Sequence, residues 1–474
     1  MPGKKHLIIT SVLLVVLMAM LFPGQAFSTH QKKYKITDDF PFYPLLLQTL
    51  DNRPAYYIDF LPNLTCSMCH YKIYTQWRGS MHSLAYTDPY WQVMWRLCAK
   101  ETKGRFNVYC AGCHATIGVL TRTMLSPKDA TPNNPAIANI RFGVQCDVCH
   151  SIRGVTGEKA PIGRQGNASI LFAPGNVKHG PFSDSPVVGH KSRYSPLHRS
   201  AEFCASCHSM FNPINNNPIV DTYKEWKGSV YAEKGIICQD CHMASIDNSI
   251  KVSQTLKRIY TPGVVAIGGP KRALARPHNF VGANYTVLEK MGFPKYGAMA
   301  RKRLKHAALL ALEVPPRVSS GKEVKFKVAV KNDKAGHNLP TGMNELRQVW
   351  LDIDVKDKNG QLLFHTGKLN KIGDIEPGTE MFNVKGYDSK GKLTYKIWKI
   401  ASPKDTSIPP KATAFRNFSF SLPETGVEGP LKLKVVLRYR AFPQGFSDFL
   451  MGKRAFKLPI VDMVSSETTL KLAD

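Results

Sequence analysis

The chain changes character near residue 313. Beyond it, apolar and polar residues alternate in Val324-Lys-Phe-Lys-Val-Ala-Val, Val349-Trp-Leu-Asp-Ile-Asp-Val, Phe415-Arg-Asn-Phe-Ser-Phe-Ser-Leu and Leu431-Lys-Leu-Lys-Val-Val-Leu-Arg-Tyr. A period of two puts every second side chain on one face, so these runs read as half-buried strands. Asn359-Gly360 supplies a hairpin turn, because both residues tolerate the positive φ that a tight turn needs. Residues 314–474 are therefore expected to form an all-β, immunoglobulin-like sandwich. Upstream the alternation is missing. Ile73, Trp77 and Met81 recur at helical spacing, and Pro- and Gly-rich stretches such as residues 180–198 read as loop. Residues 29–313 are expected to be a mostly α domain with long loops.

The first 28 residues follow a third pattern: Lys4 and Lys5, a 16-residue apolar run from Leu7 to Phe22, then Pro23-Gly24-Gln25-Ala26. This is the layout of a secretory signal peptide. The run is shorter than the roughly 18 residues a membrane span needs. The expectation is an exported protein of the periplasm or cell surface, membrane-associated only if the segment stays uncleaved.

Eleven cysteines in an exported chain would ordinarily suggest a disulfide framework. Their spacing argues otherwise. Ten fall in Cys66-Ser-Met-Cys69-His70, Cys110-Ala-Gly-Cys113-His114, Cys146-Asp-Val-Cys149-His150, Cys204-Ala-Ser-Cys207-His208 and Cys238-Gln-Asp-Cys241-His242. Two thiols three positions apart share one side of a helical turn and reach both vinyl groups of one porphyrin, and the adjacent imidazole swings under the iron. A redox dithiol or half a zinc site also uses Cys-x-x-Cys, but neither needs the following His. Five haem c groups are therefore expected, with His70, His114, His150, His208 and His242 as proximal iron ligands. Cys98 is left over and reads as a buried thiol acting as a small hydrophobe.

The net charge of +29, from 64 Lys and Arg against 35 Asp and Glu, resembles that of a nucleic-acid binder. Export argues against nucleic acid, and ten haem propionates would offset only part of the excess. The remainder suits acidic redox partners or an anionic surface.

Each iron needs a sixth ligand. Outside the motifs and the leader stand His30, His82, His179, His190, His198, His278, His306, His337 and His365. His82 ends the phrase Tyr74-Thr-Gln-Trp77-Arg-Gly79-Ser80-Met-His82, which recurs as Tyr223-Lys-Glu-Trp226-Lys-Gly228-Ser229-Val-Tyr231. Tyr231 replaces the His there, so either another His serves that haem or one iron is open beside a phenol. His190, His198 and His278 sit in loop sequence, where a ligand is free of helix constraints. His306 lies in a basic stretch, Arg301 to Leu312, that reads as helix with an exposed His. His337 occupies the first inter-strand loop of the β region, Gly336-His337-Asn-Leu-Pro340-Thr341-Gly342, where it would cap a haem at the domain junction.

The five motifs, with Trp77-x-x-Ser80-x-His82, Glu225-Trp226-x-x-Ser229 and the Gly336–Gly342 loop, resemble the multihaem cytochromes of the cytochrome c554 and hydroxylamine oxidoreductase type over roughly residues 60 to 345. The resemblance implies stacked haems, bis-His ligation and electron transfer. It implies distal ligands at His82, His190, His278 and His337, with His198 competing with His190. The chain departs from hydroxylamine oxidoreductases in carrying fewer motifs, and from pentahaem nitrite reductases in having no motif that ends in Lys. It is also similar, more weakly, to cytochromes whose C-terminal β-domain assembles into extracellular filaments. The expected function is an exported electron carrier working between redox partners, with a membrane quinol-oxidising or outer-membrane complex among the candidates. A reductase of a small nitrogen or sulfur compound at one open haem, and a homo-oligomeric filament subunit, are the alternatives.

Overall fold

The computed structural model describes residues 42, 45–156 and 165–473. The signal-peptide expectation lies outside the described residues. Among the described residues, no helix is long and apolar enough to cross a membrane.

Seven main strands form the β region: β1 (Ala308–Glu313), β2 (Glu323–Asn332), β3 (Gln348–Lys356), β4 (Leu362–Thr366), β5 (Thr413–Ser421), β6 (Leu431–Arg440) and β7 (Val461–Leu472). One sheet has the order β1-β2-β5; in the other β7-β6-β3-β4 run side by side, with the short strand Arg317–Val318 beyond β7. All four sequence-predicted strands are present, and the turn at Gly360 joins β3 to β4 with φ +83°. Alternation becomes burial along β2, where Val324, Phe326, Val328 and Val330 face the second sheet. Strand β3 departs from the expected half-buried pattern, because Trp350 and Asp352 on its outer face are also buried. The cover there comes from Arg440, whose guanidinium lies over the Trp350 ring, and from His365 and Arg438, which bond Asp352. Leu351 is fully enclosed between the sheets. Leu351→Ala is expected to cost about 2–5 kcal/mol, read as a lower melting point of the β region; a loss below about 1 kcal/mol would mean the sandwich core is loosely packed.

The stretch Arg301 to Leu312 divides in two. The helix Pro294–Lys305 stops at His306, which is exposed, and β1 begins two residues later. The helices Tyr285–Lys290 and Pro294–Lys305 lay Tyr285, Leu288, Ala300 and Leu304 into the same core as the sandwich. That core also takes in Leu84 and Tyr90 from the region carrying the motifs, so the two regions share one packed interior.

The motif region is helical and loop-rich, with a second core built around Trp95, Phe106, Tyr109, Ile117 and Leu120. Its seam with the β region is polar as well as apolar. Glu101 accepts from Lys396 and Trp398 at 2.6 and 3.0 Å, and Asn215 and Asn217 donate to the carbonyls of Ile400 and Ala401.

Candidate haem-binding site

Each Cys-x-x-Cys-His motif lies on or beside one short helix: Asn63–Arg78, Asn107–His114, Cys146–His150, Glu202–Ala205 or Cys238–His242. In the first, the backbone at His70 leaves helical geometry (φ −107°, ψ 35°), which turns the imidazole away from the helix face. The thiols of different motifs meet. Cys66 lies beside Cys146, Cys113 beside Cys207, and Cys204 beside Cys238. Cys149 lies close enough to Cys207 to interact electrostatically. The motifs thus run first, third, fourth, fifth, with the second beside the fourth. Cys98 is buried as expected, and its thiol lies beside that of Cys110.

The imidazoles pair across long sequence separations. Ring centroids are 6.4 Å apart for His70 and His190, 6.3 Å for His82 and His208, and 6.2 Å for His242 and His337. A metal held between two imidazoles sits about 2 Å from each ring nitrogen, which separates the ring centres by about 6.3 Å. The three pairs are therefore spaced to take an iron between them, and the residues present fit haem.

Hydrogen bonding selects the ligating nitrogen. A carbonyl can only accept, so a ring nitrogen beside one carries the proton and leaves the other nitrogen's lone pair for a metal. Nδ1 donates in this way from His70 to Val265, from His114 to Ala85 and from His150 to His179, each at 2.7 Å, and from His242 to Val281 at 3.0 Å. On the opposing side it donates from His190 to Lys191, from His278 to Arg276 and from His337 to Asn338, at 3.1, 3.0 and 3.0 Å. Burial favours the neutral imidazole at three of the candidate rings: it pushes His82 down to about 3, and His114 and His278 down to about 4.

The two remaining candidates each keep one free ring nitrogen and separate on spacing. His198 stacks on His150 at 5.6 Å, closer than the separation an iron between them needs, with its Nε2 donating to the Cys149 carbonyl at 3.2 Å and its Nδ1 without a partner. His278 is buried, has no protein hydrogen bond at Nε2 among the described residues, and lies near enough to His150 and His70 to be depressed by both. His114 differs from the other proximal histidines. Among the described residues its ring neighbour is Trp91, stacked at 4.6 Å and 7°, and no second imidazole stands at iron spacing.

The internal repeat is structural. Trp77 Nε1 donates to the Val144 carbonyl and Trp226 Nε1 to the Ile236 carbonyl, both at 2.8 Å, and each carbonyl lies two residues before the next haem motif. Gly79 is a packing requirement, because a Cβ there would lie 2.1 Å from the Tyr296 ring. In the second copy Tyr231 is buried beneath the His337 loop, against Gly336. His337, from the β region, faces His242 at 6.2 Å.

Sequence reasoning did not reach Glu225's role in that loop, although Glu225 stood in a motif already singled out. Its carboxylate accepts from the Asn338 amide at 3.1 Å and from the Thr341 hydroxyl, pinning the His337 loop to the motif region. Burial raises Glu225 to about 7. An unfolded Glu loses its proton near 4.5, so between those values the folded state binds more protons and stability falls as pH rises, levelling off above about 7. Glu225→Gln is expected to flatten that decline, measured as denaturation midpoints at pH 5 and pH 8. An unchanged difference between the two pH values would exclude Glu225 as its source.

The fold and the motif geometry define a multihaem c-type cytochrome, a class of electron-transfer protein carrying covalently attached haem. Residues 65–151 match the family described as cytochrome c554 and c-prime. The structure is similar to that of a penta-heme cytochrome c552 from Thermochromatium tepidum, with 18% identity, a TM-score of 0.61, and coverage of 87% of this chain and 100% of that one. A partial similarity to the CARDB domain of the PF1109 protein of Pyrococcus furiosus has 11% identity, over 35% of this chain and 87% of that one, with a TM-score of 0.17. The sequence has no match among curated proteins.

Proposed function

We propose that the chain is an exported pentahaem electron carrier with bis-His ligation at four of its five sites. The observation that carries this reading is the set of three imidazole pairs at 6.2–6.4 Å, each joining one motif histidine to a histidine more than 90 residues away. Cys66 and Cys69, Cys110 and Cys113, Cys146 and Cys149, Cys204 and Cys207, and Cys238 and Cys241 would hold the five groups. His190, His82 and His337 complete the sites of His70, His208 and His242. His278 completes that of His150, since His70 already has its partner and the His198 ring lies closer to His150 than an iron between them allows. Bound there, haem supplies one-electron chemistry through its iron. The protein's part is to orient neutral imidazoles by their Nδ1 carbonyl bonds, to exclude water, and to set the sites in a continuous row, an arrangement suited to passing electrons between two partners.

A second reading has a specific observation behind it. With no imidazole opposite it among the described residues, His114 marks the second motif as the place for an open iron, in place of the phenol of Tyr231. Such a site would suit a small nitrogen or sulfur compound.

Electron paramagnetic resonance of the oxidised protein tests both readings. Four low-spin ferric signals and one high-spin signal are expected. His278→Ala should add a second high-spin haem, and His198→Ala should add none. Five low-spin signals would remove the open site, and a response to His198 rather than His278 would overturn the assignment at the third motif.

A further inference from the structure

The first motif lies at the periphery of the molecule. Cys69 is the one exposed cysteine, while the other motif cysteines are partly covered. Three segments converge on its histidine. Residues 66–72 carry it; the loop before His190 brings the opposing ring; and residues 263–272 bond it, through Val265 to His70 Nδ1 at 2.7 Å and through the Ile267 amide to the Cys69 carbonyl at 2.8 Å. Arg272 ties the last two segments together by bonding Asp184 at 2.5 Å and lying over the Phe182 ring.

These segments present an apolar collar to solvent. Met68, Tyr71, Val187, Val188 and Ile267 are each 64–74% exposed, a concentration of large apolar side chains that a free surface rarely carries. Around them stand Lys72, Lys191, Arg193 and Lys271, exposed and in no ion pair among the described residues. The one carboxylate in the three segments, Asp184, is already neutralised by Arg272. An apolar centre with a rim of a single sign fits a partner of opposite sign, because the rim steers the encounter and the centre supplies buried area.

We infer that this collar is the docking face for an acidic redox protein, and that electrons enter or leave the chain at the first motif. The inference rests on the electron-carrier reading and adds the surface and the charge of its partner.

The test uses the haem-loaded protein and a flavodoxin of strongly negative net charge. Binding is read from line broadening of the ¹⁵N-labelled flavodoxin, and electron transfer by stopped flow. The triple variant Lys72→Glu, Lys191→Glu, Lys271→Glu is compared with Lys368→Glu, Lys371→Glu, Lys390→Glu on the β region, which makes the same change in net charge. At low ionic strength the collar variant should lose binding and react about tenfold or more slowly, and the control should change by less than about twofold. The gap should close near 0.5 M salt, as exposed charges are screened. Reduction by free reduced riboflavin should be equal in all three proteins, which checks that the variants are folded and loaded. Equal losses in both triples, or none in either, would overturn the docking face while leaving the carrier intact. Failure of riboflavin to reduce the native protein would instead strike the carrier reading. Self-association abolished only by the collar changes would make the occupant a second copy and overturn the acidic partner.

Discussion

Replacing Cys204 and Cys207 together by alanine is expected to abolish accumulation of holoprotein, whereas the same change at Cys66 and Cys69 leaves a folded chain with one haem fewer. The fourth motif is the crossroads of the array: Cys204 meets Cys238, Cys207 meets Cys113, and Cys149 lies close to both. Its surroundings are built into the protein. The Ala168 amide bonds the Ser206 carbonyl at 2.7 Å, and Gln239, beside Cys238, reaches the Ser200 carbonyl at 2.7 Å. Removing one large buried aromatic side chain costs about 3–5 kcal/mol, and a porphyrin is larger than any of them, so a void at the crossroads approaches the whole 5–15 kcal/mol that stabilises a typical domain. The first motif stands at the edge, where solvent can fill what is lost. Pyridine haemochrome per purified chain, with yield from a host competent in haem attachment, separates the two. Equal yields from both double variants would show that the fourth site is no structural hub.

His337→Ala is expected to convert the fifth site from low-spin to high-spin and to open it to carbon monoxide in the reduced state, so that two haems of five respond instead of one. The change should be local. The His337 carbonyl accepts from Asn332 Nδ2 at 2.8 Å and Glu225 holds Asn338 and Thr341, so the loop keeps its place without the imidazole. His337→Met should restore a low-spin iron and raise its potential, since a thioether stabilises the reduced state relative to imidazole. If His337→Ala leaves the spin-state count unchanged, the β region does not ligate the fifth haem and its 6.2 Å approach to His242 is packing alone.

How much of this was legible beforehand depended on whether the partners lay within one turn of chain. The proximal histidines follow their cysteines directly, and an i, i+3 thiol pair means the same thing in any tertiary context. The sandwich strands were equally plain, because their period survives whatever packs on them. Strand β3 marks the limit: its outer face looked solvent-facing until His365, Arg438 and Arg440 were brought over it. The repeat announced Tyr231 as an anomaly without saying that a loop 105 residues further on packs against it.

By itself, then, the amino-acid order marked the five Cys-x-x-Cys-His motifs as candidate attachment sites, the β region and a short roster of imidazoles able to complete the set. Only the tertiary structure decided which of these rings face which and which motifs lie side by side. Nothing local distinguishes one loop histidine from another; an iron selects for a free lone pair about 2 Å away on the right axis, and that depends on where the fold carries each ring and which carbonyl has already claimed its other nitrogen.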